Sequence, residues 1–514
     1  MCGIAGLIGS ADAGVLERLS DALAHRGPDG QGAYVSGPCA LVHTRLAIVD
    51  LHTGDQPFIA SREDGGEVAL VANGEIYNNL ELRATMSGVA FKTQSDCEPP
   101  LYLYLKHGVD FASHLRGMYA IALWDGAASR LVLARDPFGI KPLYYATTDT
   151  GFAFASEPQA LVRAGLVDAK LDTDKRDELL QLQFTTGRDT VFSGVQRVLP
   201  GETLVIEDGY IVDRRHVAAL PQGGPRRLSR TQALSDLDHI LNDSIGVHQR
   251  ADVPYGMFLS GGIDSSVLLA MMSRLNPDPV VAFTAGFSNT PVHDEREHAR
   301  TLAKAEGATH FEVEFGADDF WALLPKIAQH MDDPTADYAL LPTWKLAQKA
   351  RAEGIKVVLS GEGGDELFAG YGRYRDAARL LFAKPMRRRG ILEGLGVLRD
   401  EDPSQAWRTG IFQAGLTAKG PKGKGGARTR LQVAQAQDIA TWLPGDLLTK
   451  VDRMLMAHGV EGRVPFLDVP MAEFAFTLPD ALKVKRRLGK YALRQWLGTA
   501  MPNAQPFSKK RGFT

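Results

Sequence analysis

Short apolar runs bounded by turn-forming residues fill the first part of the chain, at residues 40–42, 68–72, 120–124, 131–134, 143–146 and 152–156. Runs of this length read as buried β-strands. Stretches 15–24 and 99–107 read as helices between them, so the pattern predicts an α+β unit. A Pro/Gly cluster, LPQGGPRR at 220–227, then interrupts the chain as a linker would. Past it, Ser229 with Gln232 predicts a capping box, and Leu234, Leu237, Ile240 and Leu241 recur at helical spacing. From there the order becomes strand, loop, helix. Runs 255–259, 280–284, 310–315 and 357–359 alternate with helical stretches such as VLLAMMSRL, which predicts a doubly wound, mostly parallel sheet. The expected organisation is a first domain at 2–210, a linker at 211–228 and a second domain at 229–514. The basic, Gly-rich stretch at 418–428 is expected to be a surface loop.

At 514 residues the chain is too long for one core, in keeping with two domains. A hydrophobic share of 44%, a charged share of 23% and a formal net charge of -3 give no electrostatic case for nucleic acid or an anionic membrane. No apolar run approaches the roughly 18 to 20 residues of a spanning helix, and the start lacks a signal peptide's basic flank, so a cytoplasmic protein is expected. Three cysteines, Cys2, Cys39 and Cys97, show no CxxC spacing and predict neither disulfides nor a zinc site. Cys39 and Cys97 are expected only to pack.

Cys2 carries more information. Removal of Met1 would leave one residue holding a thiol and a free α-amine, whose reference pKa values of about 8.5 and about 7.7–8 let the amine take the thiol proton near neutrality. If that thiol attacks a carboxamide, the site needs oxyanion donors, a cation for the substrate carboxylate and an anion for its ammonium. Asn73 and Gly74 fit the first need, Arg45 the second and Asp96 the third. These residues lie in an ordered series of strings: MCGIAG, HRGPDG, HTRLAIVDL, NGEIYN, SDCE, LRGMYAIALWD and RDPFGIKPLYY. The series resembles the N-terminal-nucleophile glutaminase domain of glutamine-hydrolysing asparagine synthetases. That resemblance implies Cys2 as nucleophile, Asn73 and Gly74 as oxyanion hole, and Arg45, Glu75 and Asp96 around glutamine. It also implies a four-layer α/β/β/α sandwich.

SGGIDSS, at 260–266 between a β run and a helix, can surround a polyphosphate with backbone N–H groups and hydroxyls. The Walker lysine is absent, and the string resembles the pyrophosphate loop of ATP pyrophosphatases. Its candidate ATP-binding residues are Leu259, Ser260, Gly261, Gly262, Asp264, Ser265 and Ser266, joined by Ser360 and Gly361 of SGEGGDELFAGY. Asp264 and Asp365 are candidate Mg²⁺ ligands. The family resemblance places Glu362 beside the acyl-adenylate and aligns Lys510, in KKRGFT, with a catalytic lysine. Matches also cover DDPTADYALLPTW, LLTKVDRMLMAHGVEGRVPFLD and GKYALR, so the resemblance spans almost the whole chain. It implies ATP, glutamine and aspartate as substrates, an internal passage for ammonia, and a homodimer. The motifs bind ATP and glutamine and leave the acceptor open. Aspartate, a cell-envelope sugar acid, a peptidoglycan carboxylate or a natural-product precursor would each suit, and so would a glutaminase or regulatory protein with a disabled second site.

Overall fold

The computed structural model describes residues 2–9, 13–62, 65–149, 151–287, 295–378 and 426–508. Two antiparallel sheets form its first part. One contains β1 (Gly3–Gly9), β2 (Gly30–Ser36), β3 (Cys39–Arg45), β8 (Tyr144–Thr148), β9 (Gly151–Ala155) and β10 (Gln196–Arg197), in the order β10-β8-β9-β1-β3-β2. The other contains β4 (Phe58–Ser61), β5 (Glu67–Ile76), β6 (Gly117–Asp125), β7 (Arg130–Arg135), β11 (Glu202–Glu207) and β12 (Tyr210–His216), in the order β12-β11-β7-β6-β5-β4.

Side-chain alternation stacks these sheets. On β1, Ile4 and Ile8 face the core between the sheets, while Ala5 and Leu7 meet Leu19, Leu23 and Leu161 of the helices Ala13–Leu23 and Pro158–Arg163. On β7, Leu131 and Leu133 face inward, and Val132 and Ala134 join the cluster that holds Leu101 and Tyr104 of the helix Pro99–His107. Strands buried on both faces need apolar residues at consecutive positions, which explains the unbroken runs in the sequence. The result is the expected helix, sheet, sheet, helix sandwich.

The second part holds a parallel sheet of β13 (Tyr255–Phe258), β14 (Val281–Phe287), β15 (Thr309–Phe315), β16 (Val357–Leu359) and β17 (Glu461–Arg463), ordered β15-β14-β13-β16-β17. Strand order reverses between β13 and β16, and a doubly wound sheet opens a crevice at the carboxyl ends of such strands. SGGIDSS follows β13 and SGEGGDEL follows β16, so both motifs reach that crevice.

Two details depart from the sequence reading. β12 runs through His216, so the stretch expected as linker from 211 begins as an edge strand paired with β11. The capping box at the helix Arg230–His248 is half formed: Ser229 Oγ accepts from Gln232 N at 3.2 Å, but the Gln232 amide turns to Asp236 at 2.7 Å. The stretch expected as a loop at 418–428 lies mostly outside the described residues; Gly426 O accepts from Gly224 N at 2.7 Å.

The two parts share one core. Leu46, Ile48, Tyr77, Met118, Phe138 and Ile140 of the first cluster with Val267, Leu359 and Phe466 of the second. Charged groups are buried beside this junction. Arg26 is fully buried and pairs with Glu157 at 2.7 Å and with Asp452 at 2.8 Å, and Arg453 pairs with Asp332 at 2.8 Å.

Candidate active sites

Cys2 precedes β1 and is buried, and its backbone N donates to Asn73 Oδ1 at 3.1 Å, linking the start of an interior strand of one sheet to β5 of the other. Asn73 is completely buried, and its Nδ2 has no hydrogen-bond partner among the described residues. An orphaned buried donor costs about 1–3 kcal/mol, so it points to an acceptor supplied from outside the fold. Gly74 is demanded by close approach: a Cβ there would lie 2.2 Å from Met118 O on β6. Burial pushes the Cys2 thiol up, while a hydrogen bond from the Leu46 backbone and the charge of Arg45 pull it back.

Arg45 closes β3 with its guanidinium held by the loop that follows: Nη1 donates to Asp55 Oδ1 at 2.7 Å and Nη2 to Asp50 O. Asp96 Oδ2 accepts from Ile76 N at 2.6 Å, and burial raises its pKa to about 6. Glu75 is buried next to it and forms an ion pair at 2.9 Å with Arg463 of β17, from the second part of the chain. Burial drives Glu75 upward despite that guanidinium. Cys97 is a core residue, as expected, and its thiol donates to Gly74 O at 3.4 Å. Cys39 packs between the two sheets.

The second site is a cavity of about 560 Å³ at the crevice between β13 and β16. Leu259, Ser260, Gly261, Gly262, Asp264 and Ser265 line it, together with Ser360, Gly361, Glu362 and Asp365 of the neighbouring loop. The helix Ile263–Leu275 begins at its floor, with its positive end toward the cavity loop. Ser260 and Ser265 hydroxyls are 3.1 Å apart and brace the loop; Ser266 is buried, donates to Gly262 O at 2.7 Å and does not line the cavity. A Cβ on Gly364 would fall 2.5 Å from Asp264 Cγ, so glycine lets the two loops meet. Glu366 accepts from Tyr371 OH at 2.7 Å, and burial with the neighbouring Asp365 raises its pKa to about 7.

Of the cations that line the cavity, Lys490, in GKYALR, is the one paired with the acids of both motif loops. Its ammonium contacts Asp264 Oδ2 and lies 2.8 Å from Asp365 Oδ1. Burial opposes its charge, but the two carboxylates outweigh burial and raise its pKa. The string alone gives this lysine no role. A left-handed backbone at Lys490, with φ of 56°, turns the chain at the start of the helix Tyr491–Ala500. Lys510 lies outside the described residues. Among the described residues no group of three or more His, Cys, Asp or Glu is arranged to hold a metal. Asp264 and Asp365 converge on the Lys490 ammonium, and their carboxylates are of the oxygen-donor type that Mg²⁺ takes together with phosphate oxygens. No helix among the described residues is long and apolar enough to cross a membrane.

Comparison with known proteins covers both sites. Residues 236–514 match the family described as asparagine synthase, and residues 1–217 match the glutamine amidotransferase domain. The chain is 33% identical to asparagine synthetase (glutamine-hydrolyzing) 1 of Bacillus subtilis over 97% of its own length and 83% of that protein. It is 36% identical to a Mycobacterium tuberculosis protein provisionally named a glutamine-hydrolysing asparagine synthetase, over 99% of this chain and 85% of that one. With asparagine synthetase (glutamine-hydrolyzing) 1 of Saccharomyces cerevisiae it shares 29% identity over 95% of its length and 78% of the relative.

Proposed function

The chain belongs to the glutamine-hydrolysing asparagine synthetase family, and from that premise we propose how its two sites divide the work. Cys2 attacks the carboxamide carbon of glutamine. The oxyanion takes hydrogen bonds from Asn73 Nδ2 and the Gly74 backbone, ammonia leaves, and water hydrolyses the resulting thioester to glutamate. Arg45 receives the substrate carboxylate, and Asp96 with Glu75 faces its ammonium. The observation that carries this half is the orphaned Asn73 Nδ2 on a residue already bonded to Cys2.

In the second site the β-carboxylate of aspartate attacks the α-phosphorus of ATP, forming aspartyl-AMP and releasing pyrophosphate. Ammonia from the first site then attacks the acyl carbon, giving asparagine and AMP, with Glu362 positioned to accept the proton the amine sheds. The loop 260–266 and the helix behind it bind phosphate oxygens, and Lys490 supplies positive charge to the phosphate chain. Mg²⁺ held by Asp264 and Asp365 would neutralise charge on the phosphates.

The test measures asparagine, glutamate and AMP with either glutamine or ammonia as donor. Cys2→Ala is expected to abolish synthesis from glutamine and to spare synthesis from ammonia. Loss of both in a folded variant would overturn the division of labour, and AMP formation with another carboxylate but not aspartate would overturn the choice of acceptor.

A further inference from the structure

The two groups read as recognising glutamine share one support. Asp50, with a left-handed φ of 53°, is a node in the loop after β3. Its carbonyl accepts from Arg45 Nη2 and from Gly54 N at 3.2 Å. Its carboxylate accepts from Thr53 N at 2.9 Å, from Thr53 Oγ1 and from Gln94 N at 2.8 Å, and Gln94 leads directly into the segment bearing Asp96. Asp50 thus ties the cation of the site to the anion of the site.

Asp50 is itself held from the other domain. Its N–H donates to Asp252 Oδ2 at 2.7 Å, and Asp252 N donates to Ile48 O at 2.9 Å. These two bonds clasp the loop 48–50 against the segment that enters β13. Asp252 is largely exposed and adds little packing, so its side chain acts through the hydrogen bond to Asp50.

We propose that Asp252 is a positioning residue for glutamine, through which the ATP-binding domain fixes Asp50 and thereby the spacing of Arg45 and Asp96. The inference rests on the reading of Arg45 and Asp96 as the glutamine clamp. A mere contact between domains would lower stability and affect both activities alike, whereas a positioning role raises KM for glutamine selectively.

The experiment is steady-state glutaminase kinetics on the full chain, with ammonia-dependent AMP formation as the second readout. Asp252→Ala is expected to raise KM for glutamine about fivefold, as for loss of one ordinary hydrogen bond at a solvent-exposed acceptor, with kcat and ammonia-dependent AMP formation within about twofold of the parent. Asp252→Asn keeps an acceptor for the Asp50 N–H and is expected to restore KM. Should Asp252→Ala prove insoluble, Asp252→Glu, whose extra methylene displaces the acceptor, carries the same expectation. An unchanged KM in Asp252→Ala, no rescue by Asp252→Asn, or a parallel fall of both activities would overturn the proposal. Arg45→Ala, measured alongside, separates the two failures: a normal KM there would remove the clamp reading, while a raised KM with Asp252→Ala unchanged would remove only the role of Asp252.

Discussion

The two sites handle charge in opposite ways. At Cys2 the ionisable groups are buried one by one, and each is held by a backbone bond or by a partner outside the site: Asp96 by Ile76 N, Glu75 by Arg463, Arg45 by Asp50 O and Asp55. At the β13–β16 crevice the groups face a common cavity and neutralise one another, with Lys490 between Asp264 and Asp365. On the proposed assignment of glutamine to one site and ATP to the other, the difference follows from the ligands. A small zwitterion is selected by fixed charges at a set spacing, so those charges must not move. A polyphosphate would arrive with charge of its own, so a site that receives it would exchange internal pairs for external ones as it fills.

The sharpest way to break this comparison is to remove one group from each side. Asn73→Ala should lower glutaminase kcat by about 10²–10³ with a smaller effect on KM, as for a lost oxyanion donor, and should leave ammonia-dependent synthesis intact. Lys490→Met should lower AMP formation by at least about 10² while glutamine hydrolysis continues; equal loss of both activities would deny the separation of the sites. At the junction between them, Arg26→Met takes one of two guanidinium groups from the buried Asp452 and Glu157, leaving Arg453. Arg453 still reaches Asp452 at 3.0 Å and His25 still reaches Glu157 at 3.1 Å, so it should destabilise the protein in denaturant unfolding by about 3 kcal/mol, the lower end of the range for a broken buried pair.

The smallest effect, and the most discriminating, is pH dependence. Asp96 titrates near 6 because burial raises it, so the ionised form that meets an ammonium is lost as pH falls through about 6. KM for glutamine should therefore rise at acid pH, and the rise should disappear in Asp96→Asn. Glu366 titrates near 7 because burial and Asp365 raise it, so it gains charge beside the phosphate site as pH increases through about 7. KM for ATP should climb on the alkaline side and stay level there in Glu366→Gln. Binding at the two sites would then weaken in opposite directions along one pH axis.

Much of this was legible in the chain. Consecutive apolar residues at 68–72 and 131–134 announced strands covered on both faces, and SGGIDSS and SGEGGDEL announced loops at the ends of strands. Cys2 and Asn73, far apart in sequence, were joined by the chemistry of amide attack before their hydrogen bond was seen. What stayed hidden was set by packing across the domain boundary. Lys490 reaches Asp264 and Asp365 through a left-handed turn that its string does not advertise. Arg463 lies in a string quoted for its resemblance, yet nothing local says that its guanidinium lies 2.9 Å from Glu75. Asp252 is one acid in a polar stretch until its N–H···O partners are known.

The shared core of the two halves also bears on modularity. Residues Leu46, Ile48, Met118, Phe138 and Ile140 belong to the first domain by sequence and to the second by burial. A glutaminase fragment cut at the linker would expose this apolar surface together with Arg26, deprived of Asp452, and in the remaining half Arg463 would lose Glu75 and keep Glu461 as its acidic partner. The halves should melt as one cooperative unit, and neither should be exchangeable for the corresponding half of a distant relative unless the junction travels with it. Such a junction constrains evolution as well as folding, since substitutions on one side of it are acceptable only with answering changes on the other.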